Sequence, residues 1–317
     1  MQHKSNNIVS VVFPRQVADI DELIRFAKFV TGGTATRLWL GQSLDIESHA
    51  ALAYLAGHGV SIPVGIATAL APLRHPFDAA VQARSLAALS GAPVSIAYGA
   101  SSPAFVESLY GQPWEGPARH VEEYISIVRD LVVDGRSDYH GRFYSAVSEL
   151  AQRTLPTIEI GAGVLRPAMA RAVGRVGDLA VTWLAPASFL SSQLVPQLAM
   201  SGRLPRVVAM LPVAIRRPGV DPAAIAREAF LPHLATAHYT DMLRTAGVKV
   251  DPTDPEEGVR TLVREGIFAY GTPAQIRRKI DELFSAGADE VALHSGGVAG
   301  AFGWDAARSD LAAILAV

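Results

Sequence analysis

The chain has 317 residues, half of them hydrophobic and 18% charged, with a formal net charge of −2 and no cysteine. It can bury a large core and presents no basic excess for nucleic acid. Disulfides, thiolate metal sites and cysteine nucleophiles are excluded.

Short β-branched runs alternate with longer helical patterns, as parallel strands joined by crossover helices do. Strands are predicted at 8–13, 37–41, 62–68, 93–99, 157–161, 179–184, 207–215 and 290–294. Between them, 20–30 carries one apolar stripe (Ile20, Leu23, Ile24, Ala27, Val30), and 77–89 and 121–133 read the same way. Near the end, Thr272 and Pro273 supply a cap and first-turn proline for a helix over 274–284, and Gly287 stops it. A last helix covers 305–315. Two segments break the alternation and read as inserts: a turn-rich hairpin within 134–150, and a proline-broken stretch over 218–264. Eight strands spaced to the C-terminus predict one α/β domain over 1–317, a (β/α)₈ TIM barrel with loop insertions. The rival, a doubly wound open sheet, lacks its GxGxxG after the first strand. The opening MQHKSNNIVSVVFP does not read as a signal peptide, and no stretch approaches the roughly 18 apolar residues that span a bilayer. A cytoplasmic protein is expected, with no membrane and no nucleic acid as partner.

Several motifs occur in order: Arg37-Leu38-Trp39-Leu40-Gly41-Gln42, Gly65-Ile66-Ala67-Thr68-Ala69-Leu70, Arg74-His75-Pro76, Tyr110-Gly111-Gln112-Pro113, Pro117 to Tyr124, and Gly174 to Leu184. Together they resemble the luciferase-like monooxygenase superfamily, and within it the oxidoreductases that use coenzyme F-420, an 8-hydroxy-5-deazaflavin. The resemblance implies a barrel that seats an isoalloxazine or deazaflavin ring in its C-terminal mouth. It also implies a non-proline cis peptide at Ala67–Thr68, and often a homodimer. The chain departs from the family at Ser90-Gly91-Ala92-Pro93, where many members have Gly-Gly-Arg. It departs again at Gln42-Ser43 and Ala100-Ser101-Ser102, where the sugar-phosphate dehydrogenase branch carries an acid–histidine pair and a glutamate. Alcohol oxidation by that branch's mechanism is therefore not expected.

On this reading Ala67, Thr68, Tyr98 and Gly99 support the ring. Gly161, Ala162, Gly163, Val164 and Arg166, where the fifth strand turns into a helix, hold a phosphate on small residues, a helix N-terminus and a guanidinium. An ordinary tight strand–helix turn would look the same. Thr182 and Trp183 flank the cofactor tail or simply pack. Gln42 reaches substrate or ring, while Trp39 packs between strand and helices. His75 and His120 are proton-donor candidates, against a plain role as loop or cap histidines. Glu122 and Glu123 read as helix-surface or capping charges and Asp178 as a turn residue. No histidine pair has metal-ligand spacing, so no metal is expected, and no GxSxG elbow is present. The leading expectation is a reductase that passes hydride from reduced F-420 to an activated C=C or C=N bond of a small-molecule or peptide-derived substrate. The alternatives are an FMN-dependent monooxygenase and a non-catalytic flavin-binding barrel.

Overall fold

The computed structural model describes residues 7–317; Met1 to Asn6, the start of the segment weighed above as a leader, lie outside them. Eleven strands are formed: β1 (Ile8–Val12), β2 (Leu38–Leu40), β3 (Val64–Leu70), β4 (Val94–Gly99), β5 (Arg136–His140), β6 (Ser145–Glu149), β7 (Ile158–Gly163), β8 (Leu179–Trp183), β9 (Arg206–Ile215), β10 (Ala269–Gly271) and β11 (Glu290–His294). Eight of them pair in parallel in the order β9-β11-β1-β2-β3-β4-β7-β8, and β8 returns to β9. The sheet is therefore a closed TIM barrel, and the open-sheet rival falls. All eight predicted barrel strands are present. β10 was not anticipated. It is three residues long, too short to show an alternation, and it extends the far end of β9, with Ala269 opposite Val213.

The helices follow their sequence signals. Thr272 and Gln275 form a reciprocal capping box on the helix Pro273–Ser285, and Gly287 follows that helix at φ 103°, where a side chain would be strained. The 218–264 insert folds into three helices, Pro222–Leu234, Ala237–Thr245 and Pro255–Arg264. Among the described residues no helix is long and apolar enough to cross a membrane.

Alternation along each strand sends one set of side chains into the barrel and the other under the helices. At the N-terminal end the inward set is polar. Arg206 from β9 bonds Glu159 of β7 at 2.9 and 2.5 Å and also bonds Glu290 of β11. Ser95 of β4 donates to Glu159 at 2.5 Å and accepts from Arg37 at 2.6 Å; Ser10 of β1 donates to Glu290 at 2.5 Å. Burial opposes the charge on Glu159, but Arg206, Ser95 and Arg37 outweigh it and hold its pKa below the usual carboxylate range. Trp39 lies directly above. Its indole N–H donates to Glu290 at 2.6 Å and to Ser10 at 3.1 Å, and its ring fills the space a β-carbon on Gly65 would need, 2.2 Å away. This corrects the expectation for Trp39: it faces the barrel interior, not the helix layer. Val12, Ala67, Ala97, Val181, Val208, Met210 and Ala292 complete the apolar layer around it.

The hairpin β5–β6 lies outside the barrel and is fastened by Glu123. That carboxylate is fully buried and accepts N–H bonds from Phe143 (2.8 Å), Arg142 (3.1 Å) and Tyr144 (3.2 Å), plus Arg119 (2.7 Å). Glu122, 7% exposed, pairs with Arg175. Neither is a free surface charge, because the hairpin and a neighbouring helix cover that face. Asp178 is the turn residue expected, accepting from Arg129, Arg203 and the Ile160 N–H.

Replacing Arg206 by Ala leaves Glu159 and Glu290 buried without their main partner. The expected loss is about 3–5 kcal/mol of unfolding free energy. A denaturant melt should show it as a lower midpoint at unchanged m-value, and a wild-type midpoint in the variant would contradict the account.

Candidate active site at the barrel mouth

Most inward residues of the strands are sealed. At the N-terminal end Arg37, Glu159 and Arg206 are partly exposed but fill the interior with their ion network; at the C-terminal ends Gly41, Ala67, Thr68, Gly99, Gly163, Trp183 and His294 all keep partial exposure. The barrel is thus solid below and open above, which is where TIM barrels place their chemistry. Two residues without the freedom of glycine adopt left-handed backbone just past the strands, Ser101 after β4 (φ 66°) and Leu184 after β8 (φ 57°). Both stand at the same rim, and conformations of this kind concentrate at functional sites.

One side of the mouth is built from small residues. The Ala67–Thr68 peptide is cis, as the resemblance implies, and the β3–β4 register shifts there. The Thr68 side chain lies across Gly99 and Gly163: a β-carbon on Gly99 would meet Thr68 Oγ1 at 2.6 Å, and one on Gly163 would meet Cγ2 at 2.7 Å. Gln42 braces this side. Its amide oxygen accepts from the Leu70 N–H at 3.1 Å, and its nitrogen donates to the Ser43 carbonyl at 2.7 Å, so β2 and β3 leave the barrel together. Both ends of Gln42 are engaged within the protein; it positions the rim.

The opposite side is aromatic and nitrogen-rich. Trp183 meets the His294 ring at 5.0 Å between centroids, His233 at 5.7 Å and Phe230 at 6.1 Å. His233 in turn meets Tyr239 at 4.9 Å. His233, Phe230 and Tyr239 come from the insert, so the 218–264 segment forms part of the mouth wall. Trp183 Nε1 is buried without a hydrogen-bond partner among the described residues, while the His233 ring reaches back to the Ala229 backbone one turn earlier. Burial drives the pKa of His294 down to about 4, with His233 adding to the effect, and burial likewise takes His233 to about 4. Both rings are neutral near pH 7.

Several sequence candidates stand elsewhere. Tyr98 points outward and is fully buried against Tyr124, with centroids 5.0 Å apart, because β4 sends Ser95, Ala97 and Gly99 inward instead. Ala162 and Val164 are fully buried in the outer core, and the Val164 N–H is already donated to the Val181 carbonyl at 2.7 Å. Gly161 is a glycine because a β-carbon would sit 1.8 Å from the Leu179 carbonyl oxygen. Thr182 is 2% exposed and alternates outward between Val181 and Trp183. His75 is exposed and caps the helix Pro76–Ser90, its Nδ1 accepting from the Phe77 N–H at 3.2 Å. His120 is sandwiched outside the barrel between Trp114 (4.3 Å) and Phe143 (3.6 Å). Arg166 sits at the start of the helix Pro167–Val176, which has no side-chain cap, and pairs with Asp241 of the insert at 2.9 Å. Of the candidates, the structure brings together Ala67, Thr68, Gly99, Gly163 and Trp183, with Gln42 behind them and Arg166 in the loop that follows β7. Sequence reading missed His233 and His294. His294 was legible in principle, as the last residue of a predicted barrel strand at an inward position.

Residues 6–290 match the family model for luciferase-like monooxygenases. The chain belongs to that family. Its fold is shared with coenzyme F-420-dependent tetrahydromethanopterin reductase from Methanopyrus kandleri (TM-score 0.72, 17% identity, 95% of this chain and 96% of that one). It is shared equally with an F-420-dependent secondary alcohol dehydrogenase (0.74, 14%, 97% and 99%). A monooxygenase from Streptomyces bottropensis has the same fold (0.70, 17%, 98% of each chain). No match by sequence is found among curated proteins. By family the chain is an oxidoreductase; identities this low speak to fold and not to cofactor or substrate.

The two mouth histidines give this family member a pH-dependent stability. Unfolded imidazoles bind protons near 6.5 while the folded ones resist until about 4, so the unfolded chain binds more protons in that window. Stability is full above pH 6.5 and falls as pH drops toward 4. Glu47, held near 2 against burial by His49, the Ala50 N–H and Arg74, titrates below the window. Thermal melts from pH 7 to 4 should show the fall, and His294→Phe should flatten it. An unchanged slope in the variant would remove His294 from the account.

Proposed function

We propose that the chain is a reductase using reduced coenzyme F-420, seated in the mouth between the Thr68 side and the Trp183–His294 side. One observation supports this above the others. At the C-terminal ends of the strands, the inward residues that keep exposure are small on one side and aromatic on the other, above Trp39. A planar tricycle suits such a recess. The buried Trp183 Nε1, without a hydrogen-bond partner among the described residues, is a further sign of a wall built to meet another group. The cofactor's phosphate tail would lie over Gly163 toward the uncapped helix start at Pro167, with Arg166 exchanging Asp241 for the phosphate.

Bound there, a deazaflavin supplies two-electron hydride transfer and no oxygen activation. The protein's own contribution is orientation and exclusion of water. Ala67 and Thr68 back one face, Gln42 fixes their exit from the barrel, and the insert covers the recess opposite. The acceptor is an activated C=C or C=N bond in a small molecule.

The test is a titration of the purified protein with F-420 and with FMN, followed by anaerobic turnover with cyclohex-2-en-1-one and a cyclic imine as probe acceptors. Binding of F-420 in preference to FMN, with reduced F-420 oxidised by a probe without oxygen, is expected. Preferential FMN binding with oxygen consumption would replace the reading by a monooxygenase. Tight binding with no turnover on any acceptor would point to a non-catalytic flavin-binding barrel.

A further inference from the structure

We infer that His294 is the hydrogen-bond donor the mouth presents to substrate, and that the substrate is therefore an enone or a related carbonyl-conjugated alkene and not an imine. The inference rests on the reductase reading above and narrows its acceptor.

His294 is the last residue of β11 and faces the recess. Its Nδ1 accepts the Gly296 N–H at 3.2 Å, so a neutral ring carries its proton on Nε2. That Nε2 has no hydrogen-bond partner among the described residues, and His294 keeps partial exposure at the rim. The ring's placement is enforced. A β-carbon on Gly296 would stand 2.3 Å from His294 Cε1 and 2.7 Å from the Pro14 carbonyl oxygen, so a glycine there lets the imidazole lie flat against the chain. Trp183 holds the ring edge-on from β8.

The surroundings decide what such a donor can serve. The Trp183 ring packs on His294, and the titratable group that acts on it is His233, itself neutral at pH 7. An imine is reduced as its iminium cation, and among the described residues no carboxylate acts on the His294 ring to balance that charge. A carbonyl oxygen needs the opposite, a fixed donor that does not ionise. Hydride addition to the β-carbon of an enone, two electrons coming from the reduced deazaflavin, sends the alkene π pair toward the carbonyl and leaves an enolate oxyanion. His294 Nε2–H stabilises that oxyanion without giving up its proton, and a water admitted at the partly exposed rim protonates the α-carbon, leaving hydroxide, to give the saturated ketone. Neutral imidazole polarising a carbonyl is an established device in other enzymes.

The probe is 4-nitrophenol, whose phenolate is a planar conjugated oxyanion with its own colour and needs no cofactor or turnover. Wild-type protein should bind it as the phenolate at a pH below the probe's own pKa, seen as the yellow band. His294→Phe should weaken that binding at least 10-fold, while His294→Gln, which keeps a donor, should stay within a few-fold; circular dichroism and melting confirm that both fold. With reduced F-420, cyclohex-2-en-1-one should be consumed and the cyclic imine should not. Phenolate binding absent from the wild type, or equal in His294→Phe, overturns the inference while F-420 binding stands. Failure of the wild type to bind F-420 overturns the reductase reading and leaves the phenolate result to be judged by itself.

Discussion

Two arginines and two glutamates share the floor of the barrel, and the rest of the molecule is arranged around that fact. Arg37, Glu159, Arg206 and Glu290 come from four strands, and Ser10 and Ser95 from two more, so the network links six of the eight staves across the interior. Charges this deep are tolerated only where every one is paired and bonded, because the low-dielectric interior makes an orphan far costlier than in water. The network gives each strand a fixed height relative to its neighbours: slipping a strand by one residue would swing its charge into the helix layer. Trp39 then caps the charges and joins them through its indole N–H, which leaves no space in the lower half for a ligand.

What happens at the mouth follows from that solid floor. Side chains above Trp39 shrink on one side to alanine and glycine, and Thr68 occupies the space that Gly99 and Gly163 leave free. On the other side the wall is thick with rings, some from barrel strands and some from the insert. The insert thus belongs to the recess and is more than a surface elaboration. Its attachment to the β7 exit by Arg166–Asp241 ties together the two sides of the opening.

Placing histidines at this rim has an electrostatic consequence. Burial keeps His233 and His294 uncharged in ordinary buffer, and with Asp241 of the insert paired to Arg166 the recess carries polarity without free charge. Such a site can orient a polarisable bond and exclude water, which is the protein's share of the work when a cofactor carries the electrons.

The sequence by itself determined the eight barrel strands, the helix caps at Thr272 and Gly287, and the turn at Asp178, because these depend on alternation, backbone preference and local hydrogen bonds read over a few neighbouring residues. The family followed from motif order over most of the chain. Which way each side chain points was decided elsewhere. Tyr98 and Gly99 are adjacent in sequence, yet one is buried under a helix and the other lines the mouth; Thr182 and Trp183 divide the same way. A strand alternates with period two, so an error of one residue in register exchanges inside for outside, and only closure of the barrel fixes that register. The meeting of His233 and His294, 61 positions apart in the chain, on the Trp183 ring and the docking of the hairpin on Glu123 depend on contacts between distant segments, and only the tertiary structure brings those segments together.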